Sequence, residues 1–501
     1  MERLIQRNSF AKFFLILLMV TGLLPLAGYP QNDTASTSVE ERPRNLELKI
    51  DKLEQRPNAA LQDSHSASTT PLSVAGREFQ NKLEAIDQKV RILERKHELE
   101  QEDYQAQTKA NPVLKAGAEG FSIRSANGNY QLRIRGHVQM DGRFFTADSQ
   151  KLTRDTFVLR SVRPIFEGSL GKRFDFKLMP DFGNGQTVLQ DMYLDSKFFP
   201  QLNIRAGKFK TPFGLERLQG ESDTLFTERA LPTGIAPNRD LGVQIFGDFW
   251  KGGLNYAVGI FNGVVDGGSS DSDDNGGKDF AGRVFAQPFK STQRSLIKDF
   301  GFGLAGTVGN RNGVAATPSV ASYKTAGQNT FFRYISDGTS AGTVVGAGAL
   351  YRISPQLYYY NGPFGIIGEY AISNQDVRKA ATRASLQNTS WQVSASYVLT
   401  GEKASYKSVI PRNTEGKSIP GAFEIAGRYS ELEVDRTAFP VFANPLSSAR
   451  SAKAWGLGIN WYINRNLRFV LDYERTRFIG GAIIGNRETE NALLGRIQVA
   501  Y

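Results

Sequence analysis

From about Asn129 onward the chain alternates. Tyr130, Leu132, Ile134, Val138 and Met140 fall on even positions, while Gln131, Arg133, Arg135, His137, Gln139, Asp141 and Arg143 fall on odd ones. A period of two marks a strand with one apolar and one wet face. Its length suits a tilted strand that crosses hydrocarbon and extends beyond it. Sixteen such segments follow one another, beginning near residues 130, 157, 173, 186, 200, 239, 252, 279, 299, 344, 363, 389, 421, 453, 466 and 490. The last of them, Asn491–Tyr501, sets Leu493, Ile497, Val499 and Tyr501 on one face and Arg496 and Gln498 on the other. A terminal strand left free presents an unpaired edge, and closure onto the segment at 130–144 removes it. That pairing would stand Arg496 and Gln498 next to Arg133 and Arg135.

The connections alternate in length. Gly171-Lys172, Trp250-Lys251, Asn361-Gly362 and Asn464-Arg465-Asn466 are short; 211–238, 263–278, 309–343, 374–388, 432–452 and 478–489 are long. Short turns on one side and long loops on the other, with an even strand count, describe a transmembrane β-barrel whose termini share the periplasmic side. The stretch 401–420 breaks this order, being long where a short turn belongs. The fold expected is all-β: a transmembrane barrel of about 16 antiparallel strands over residues 118–501, preceded by a short periplasmic coiled-coil helix.

The N-terminal part follows another rhythm. Arg3, Arg7 and Lys12 precede an apolar run from Phe13 to Leu24, and Pro25-Leu-Ala-Gly28 closes it. The run is too short to span a bilayer, so residues 1–28 read as a secretory signal. Residues 29–77, rich in Ser, Thr, Asn and Pro, read as a flexible segment with one short helix. Over 78–108 the spacing becomes 4-3-4-3-4 through Phe79, Leu83, Ile86, Val90, Leu93 and His97, an a/d seam flanked by charge. So narrow a stripe needs a partner helix, most simply a copy of itself, with His97 as a polar residue that sets register; the alternative is a marginal lone helix that is partly disordered.

Composition narrows the function. With no cysteine, disulfides, thiolate metal sites and a cysteine nucleophile are excluded. Residues 1–117 carry equal numbers of basic and acidic side chains, so the whole +11 excess belongs to the strand-rich part. A basic bore favours anions; nucleic acid, the other common partner of a basic surface, has no place in a membrane barrel.

Several stretches then resemble the phosphate-selective porin O and P family of bacterial outer membranes. They include Leu132-Arg-Ile-Arg-Gly-His-Val-Gln-Met-Asp-Gly-Arg-Phe145, Arg163-Pro-Ile-Phe-Glu-Gly-Ser-Leu170, Pro180-Asp-Phe-Gly183 and Gln190-Asp-Met-Tyr193. Gly207-Lys-Phe-Lys-Thr-Pro-Phe-Gly-Leu-Glu216 and Arg239-Asp-Leu-Gly242 continue the series. The resemblance covers about 120–501 and implies a trimeric sixteen-stranded channel whose third outer loop narrows the bore. Some members of the family bind phosphate or polyphosphate.

A channel of this kind needs no reaction chemistry, only side chains that replace part of an ion's hydration and then release it. Arginine and lysine serve for anions, and the planar arginine fork suits phosphate. Arg205, Lys208, Lys210, Arg217, Arg229 and Arg239 cluster around the third loop, and Arg133, Arg135, Arg428, Arg468 and Arg496 face inward by alternation. The competing role for each is a structural ion pair with a neighbouring carboxylate. Loop 211–238 lacks a dense arginine run and holds Glu216, Glu221, Asp223 and Glu228, so anion preference follows more directly than phosphate selectivity. Asp271, Asp273 and Asp274 read as solvated loop charge, with a divalent cation as the alternative. The partners expected are a homotrimer, the lipid bilayer, small inorganic anions and the barrel-assembly machinery acting on the C-terminal strand. No cofactor, metal or nucleic acid is expected. A plugged structural or adhesive barrel is the rival reading. An outer-membrane enzyme is disfavoured, because His137 stands alone in the barrel with no nucleophile motif around it.

Overall fold

The computed structural model describes residues 74–146, 154–273, 276–292, 295–412 and 421–501. The expected signal at 1–28 and the segment 29–73 lie outside them. Two compact units divide the chain, Met1–Leu99 and Glu100–Tyr501.

A single helix, α1 (Val74–Ala110), contains the heptad seam. Its apolar residues are open to solvent in the isolated chain, Phe79 at 67% and Leu93 at 65% exposure. Pairs one turn apart, Lys82–Glu78 at 3.2 Å and Arg91–Asp87 at 3.0 Å, support the charged faces. A short hairpin of β1 (Val113–Gly117) and β2 (Gly120–Arg124) follows.

Sixteen strands then close an antiparallel ring. The first quarter is β3 (Tyr130–Thr146), β4 (Thr156–Leu170), β5 (Phe174–Asp181) and β6 (Val188–Phe199). Next come β7 (Leu202–Lys210), β8 (Arg239–Phe249), β9 (Leu254–Phe261), β10 (Asp279–Ala286) and β11 (Asp299–Asn312). Inside one long loop sits a separate hairpin, β12 (Ser322–Lys324) with β13 (Thr330–Arg333). The ring resumes with β14 (Val345–Asn361), β15 (Phe364–Lys379), β16 (Thr382–Val398) and β17 (Ala422–Glu433), and ends with β18 (Ala449–Tyr462), β19 (Leu467–Gly480) and β20 (Glu490–Ala500). Each ring strand pairs with the next, and β20 pairs with β3 from Asn491↔Thr146 to Ala500↔His137. Hydrocarbon offers no water to an unpaired amide, so a spanning sheet must close in this way.

Alternation decides which side faces lipid. On β3, Val138 and Met140 are exposed on the outside while His137, Gln139 and Asp141 are buried inside; on β18, Leu457 and Ile459 lie outside and Asn460 within. Cross-strand aromatics reinforce the outer face. Phe423, Trp461 and Phe469 stack in a row with centroids 5.6 Å apart. Trp391 meets Tyr429 and Trp455 meets Tyr473 nearer the loop end. Such girdles belong at membrane interfaces.

Two expectations need correction. Residues 374–388 form no long loop: β15 and β16 pair continuously to Lys379↔Thr382, with Ala380 at positive φ in the turn. The polar run Ser373–Asp376 reads as loop, yet the strands continue past the membrane band and bury Gln375, Val377 and Leu386 against inward-folded loops. The seam register also differs. Arg496 stands opposite Asp141 and Gln498 opposite Gln139, well along β3 from Arg133 and Arg135. The reason is that residues 131–134 of β3 pair with β2, which occupies the edge that β20 leaves free. The connection after β16 is long, as the sequence indicates, running from Val398 to Ala422. Within it, Ala404 and Val409 are buried and Tyr406 and Ser408 reach the crossing loop, while Leu399 and Ile410 stay exposed; 413–420 lie outside the described residues.

Candidate permeation pathway

Strand β7 ends at Lys210, and Thr211-Pro-Phe-Gly214 turns the chain inward. Gly214 adopts φ +76°, and a Cβ there would meet the Cβ atoms of Ala236 and Arg217 at 3.0 Å, so glycine suits this corner. Phe213, fully buried against Ala236 and Ala305, pins the turn. Beyond it the loop crosses to the far wall. Its irregular backbone needs partners there, and the wall supplies them. The Leu215 amide donates to Glu369 at 2.6 Å and the Thr227 amide to Asp472 at 2.5 Å. Arg468 donates to the carbonyls of Ser222 and Thr224 at 3.2 and 2.8 Å, and Arg428 to that of Glu228 at 2.8 Å.

The segment after β16 props the same loop from the turn end. Tyr406 donates its hydroxyl hydrogen to the Leu215 carbonyl, Gln219 donates to the Tyr406 carbonyl at 2.7 Å, and Ser408 donates to the Ser222 carbonyl at 2.8 Å. From the loop end, Tyr323, Phe331, Phe332 and Tyr334 of the β12–β13 hairpin region pack with Leu231 and Ile235 and with inward-facing Val377, Leu386 and Leu432. The side of the bore bounded by β14–β19 is therefore filled. Among the cavities formed by the described residues, two lie beside the crossing loop. One, of about 490 Å³, lies toward the turn end against β3–β10; the other, of about 420 Å³, lies toward the loop end.

The larger cavity has a charge order. Arg135, Arg163, Lys177, Arg205, Lys210, Arg239 and Arg283 line it, against Asp191, Glu221 and Asp223. Carboxylates anchor three of the cations: Glu167 holds Arg135 at 2.8 Å, Asp181 holds Arg163 at 2.7 Å, and Asp195 holds Arg205 at 2.7 Å. Asp181 lines neither this cavity nor the adjoining one of about 310 Å³ at the turn end, whereas Glu167 and Asp195 line the latter. Asp191 serves two cations, Arg239 at 2.8 Å and Lys177 at 3.1 Å. Lys210 and Arg283 make no ion pair among the described residues; Lys210 donates to the Gln219 carbonyl at 2.6 Å and Arg283 to the Gln356 side chain at 2.9 Å. Around the smaller cavity, Arg160, Arg217, Arg229 and Lys324 face Glu228 and Asp266.

The expected site residues thus separate. Arg135, Arg205, Lys210 and Arg239 line the turn-end cavity, and Arg217 and Arg229 the loop-end one. Arg133 sits 3.6 Å from Glu167 at the turn-end rim, and Lys208 is buried against Asp271. Arg428, Arg468 and Arg496 point inward as alternation requires, but line neither cavity. Arg428 and Arg468 clamp the crossing loop, and Arg496 binds Asp141. Asp273 pairs with Lys278, and Asp274 lies outside the described residues. No cluster able to hold a metal occurs among the described residues. Sequence reasoning passed over Arg163, Lys177 and Arg283, although the alternation that exposed Arg135 was available for each. At Glu221 in the loop, burial works against the carboxylate. The Arg229 and Arg163 guanidiniums outweigh that effect and hold its pKa well below the usual range.

An apolar exterior, a polar bore and a loop crossing the lumen define an outer-membrane channel. Residues 132–482 match the family described as phosphate-selective porin O and P, and the chain belongs to that family. Porin O of Pseudomonas aeruginosa is 24% identical over 425 residues, covering 74% of this chain and 90% of that protein. Among solved structures, the outer membrane channel DcaP of Acinetobacter baumannii superposes with a TM-score of 0.49 at 10% identity, covering 76% of this chain and 99% of that one. The anion-selective porin from Comamonas acidovorans does so with 0.47 at 12% identity, over 74% and 100%.

Proposed function

We propose that this outer-membrane channel passes small anions in preference to cations, through the bore left open beside the crossing loop. One observation carries this reading: seven cations, Arg135, Arg163, Lys177, Arg205, Lys210, Arg239 and Arg283, line the larger cavity against three carboxylates, Asp191, Glu221 and Asp223. A permeating anion meets an excess of guanidinium and ammonium there, in a bore where low-dielectric walls strengthen the field. Phosphate or polyphosphate is the candidate solute, supported by the family to which the chain belongs. In this reading residues 1–28 are the secretory signal and 29–77 a flexible periplasmic segment. The helix over 78–108 joins three copies through its exposed seam on the periplasmic side of the barrel 118–501. The barrel-assembly machinery takes hold of β20.

Single channels in a planar bilayer under a KCl gradient test the preference. The expected reversal potential has the sign for chloride; a sign for potassium refutes it. Inorganic phosphate added to the bath decides the solute, since a phosphate-binding bore loses chloride current at phosphate concentrations that leave a non-binding bore unaffected. Absence of any conductance would favour the plugged structural barrel.

A further inference from the structure

The crossing loop carries two carboxylates into the cationic cavity, Glu221 and Asp223, and Glu221 is the one that stands between two arginines. Glu221 opens a short 3₁₀ turn, Glu221–Asp223, and accepts a hydrogen bond of 2.8 Å from Arg229 Nη1. Arg229 is fully engaged. Its Nε donates to the Glu216 carbonyl at 3.0 Å and its Nη2 to the Gln219 carbonyl at 3.0 Å. Arg163 on the other side is not. Its Nε is bound to Asp181 at 2.7 Å, but its buried Nη1 has no hydrogen-bond partner and stands 3.7 Å from the Glu221 carboxylate. Beyond hydrogen-bond reach, that separation leaves a charged donor attracted to the carboxylate and unmet by it. Arg163 is only 4% exposed and lines the cavity.

We infer that Glu221 is a built-in counter-anion: it holds the position between Arg163 and Arg229 that a permeating oxyanion would take, and thereby sets how tightly the bore binds phosphate. The inference rests on the anion-channel reading and names its specificity-determining residue. A phosphate dianion drawn into the cluster offers oxygens for the unpaired, buried Arg163 Nη1, but beside Glu221 it meets a fixed negative charge that repels it. The carboxylate therefore keeps the cluster from becoming a trap, and a channel needs solutes to leave as well as arrive. Weak binding and fast passage follow from its presence.

The substitution Glu221→Gln isolates the charge. The glutamine Oε1 can accept the Arg229 Nη1 hydrogen bond, so the loop keeps its anchor while one negative charge disappears. The probe is inorganic phosphate against chloride current in planar bilayers. Half-block of E221Q is expected at an about tenfold lower phosphate concentration than for the parent, with longer blocked intervals. Adding Arg163→Gln to E221Q should return the half-block concentration to the parental range. Heat-modifiable gel mobility confirms that each variant is a folded barrel. Unchanged half-block in folded E221Q overturns the inference, as does a gain that survives removal of Arg163. A cation-selective parent would instead overturn the anion reading itself, so the two failures are distinguishable.

Discussion

Arg496 on the last strand and Asp141 on the first face each other across the seam, joined by two hydrogen bonds of 2.7 and 2.8 Å, both side chains nearly inaccessible to solvent. Arg496 makes the close pair with Asp141, and Arg143 stands off at 4.0 Å, so removing Arg496 leaves a buried carboxylate poorly compensated at a cost of up to about 3–5 kcal/mol. Arg496→Ala should therefore unfold at a distinctly lower temperature, read as the heat-modifiable shift on gels. Replacing both residues by apolar ones of similar size should recover much of the loss. A single variant as heat-resistant as the parent contradicts this account of the seam.

Arg283 offers the cleanest test of the lining. Its guanidinium lies 4.6 Å over the Phe285 ring and donates to Gln356, without an ion pair among the described residues. Removing it subtracts a positive charge without orphaning a carboxylate. Arg283→Ala should lower the chloride-to-potassium permeability ratio about twofold or more while the barrel stays as stable as before. An unchanged reversal potential would place the selective region elsewhere.

Tyr406 ties the turn-end segment to the crossing loop through the Leu215 carbonyl. Tyr406→Phe keeps the ring stacked on Tyr358, at 5.6 Å between centroids, and deletes one hydrogen bond worth about 1 kcal/mol. The expected change is noisier open-channel current with an unaltered mean conductance. Quiet traces identical to the parent would mean that the loop is held adequately without this tie.

At the chain's end, Tyr501 exchanges two backbone hydrogen bonds of 3.0 Å with Gly136, and its ring meets Phe121 edge-on at 6.5 Å. Deleting Tyr501 should reduce the yield of folded barrel several-fold in a refolding assay while leaving the selectivity of the folded fraction intact. A selectivity change at full yield would show that the residue acts on the bore instead.

Much of the barrel is visible in the chain because lipid enforces a period of two on every spanning strand, as in Val138 and Met140 against His137 and Gln139. Where that constraint lapses, so does the signal. Ser373–Asp376 lie beyond the membrane band, where polarity marks loop and strand alike. The β12–β13 hairpin, at three and four residues a strand, is too short to carry a period. Charges posed another difficulty. Alternation shows that Arg428 and Arg135 both face inward, but only the three-dimensional path of the crossing loop distinguishes a clamp from a lining residue. Arg163 sits within a recognised motif, and its open donor depends on Asp181 and Glu221, 18 and 58 positions away in sequence.

The β1–β2 hairpin bears on how the ring finds its alignment. Sliding β20 along β3 by two residues would leave every side chain on its proper face, so alternation tolerates the slip. Because β2 already occupies β3 at residues 131–134, β20 cannot advance toward the turn end without displacing it. The hairpin is a mechanical stop that fixes the shear of the cylinder, and with it the bore diameter that the inward loops are shaped to fill.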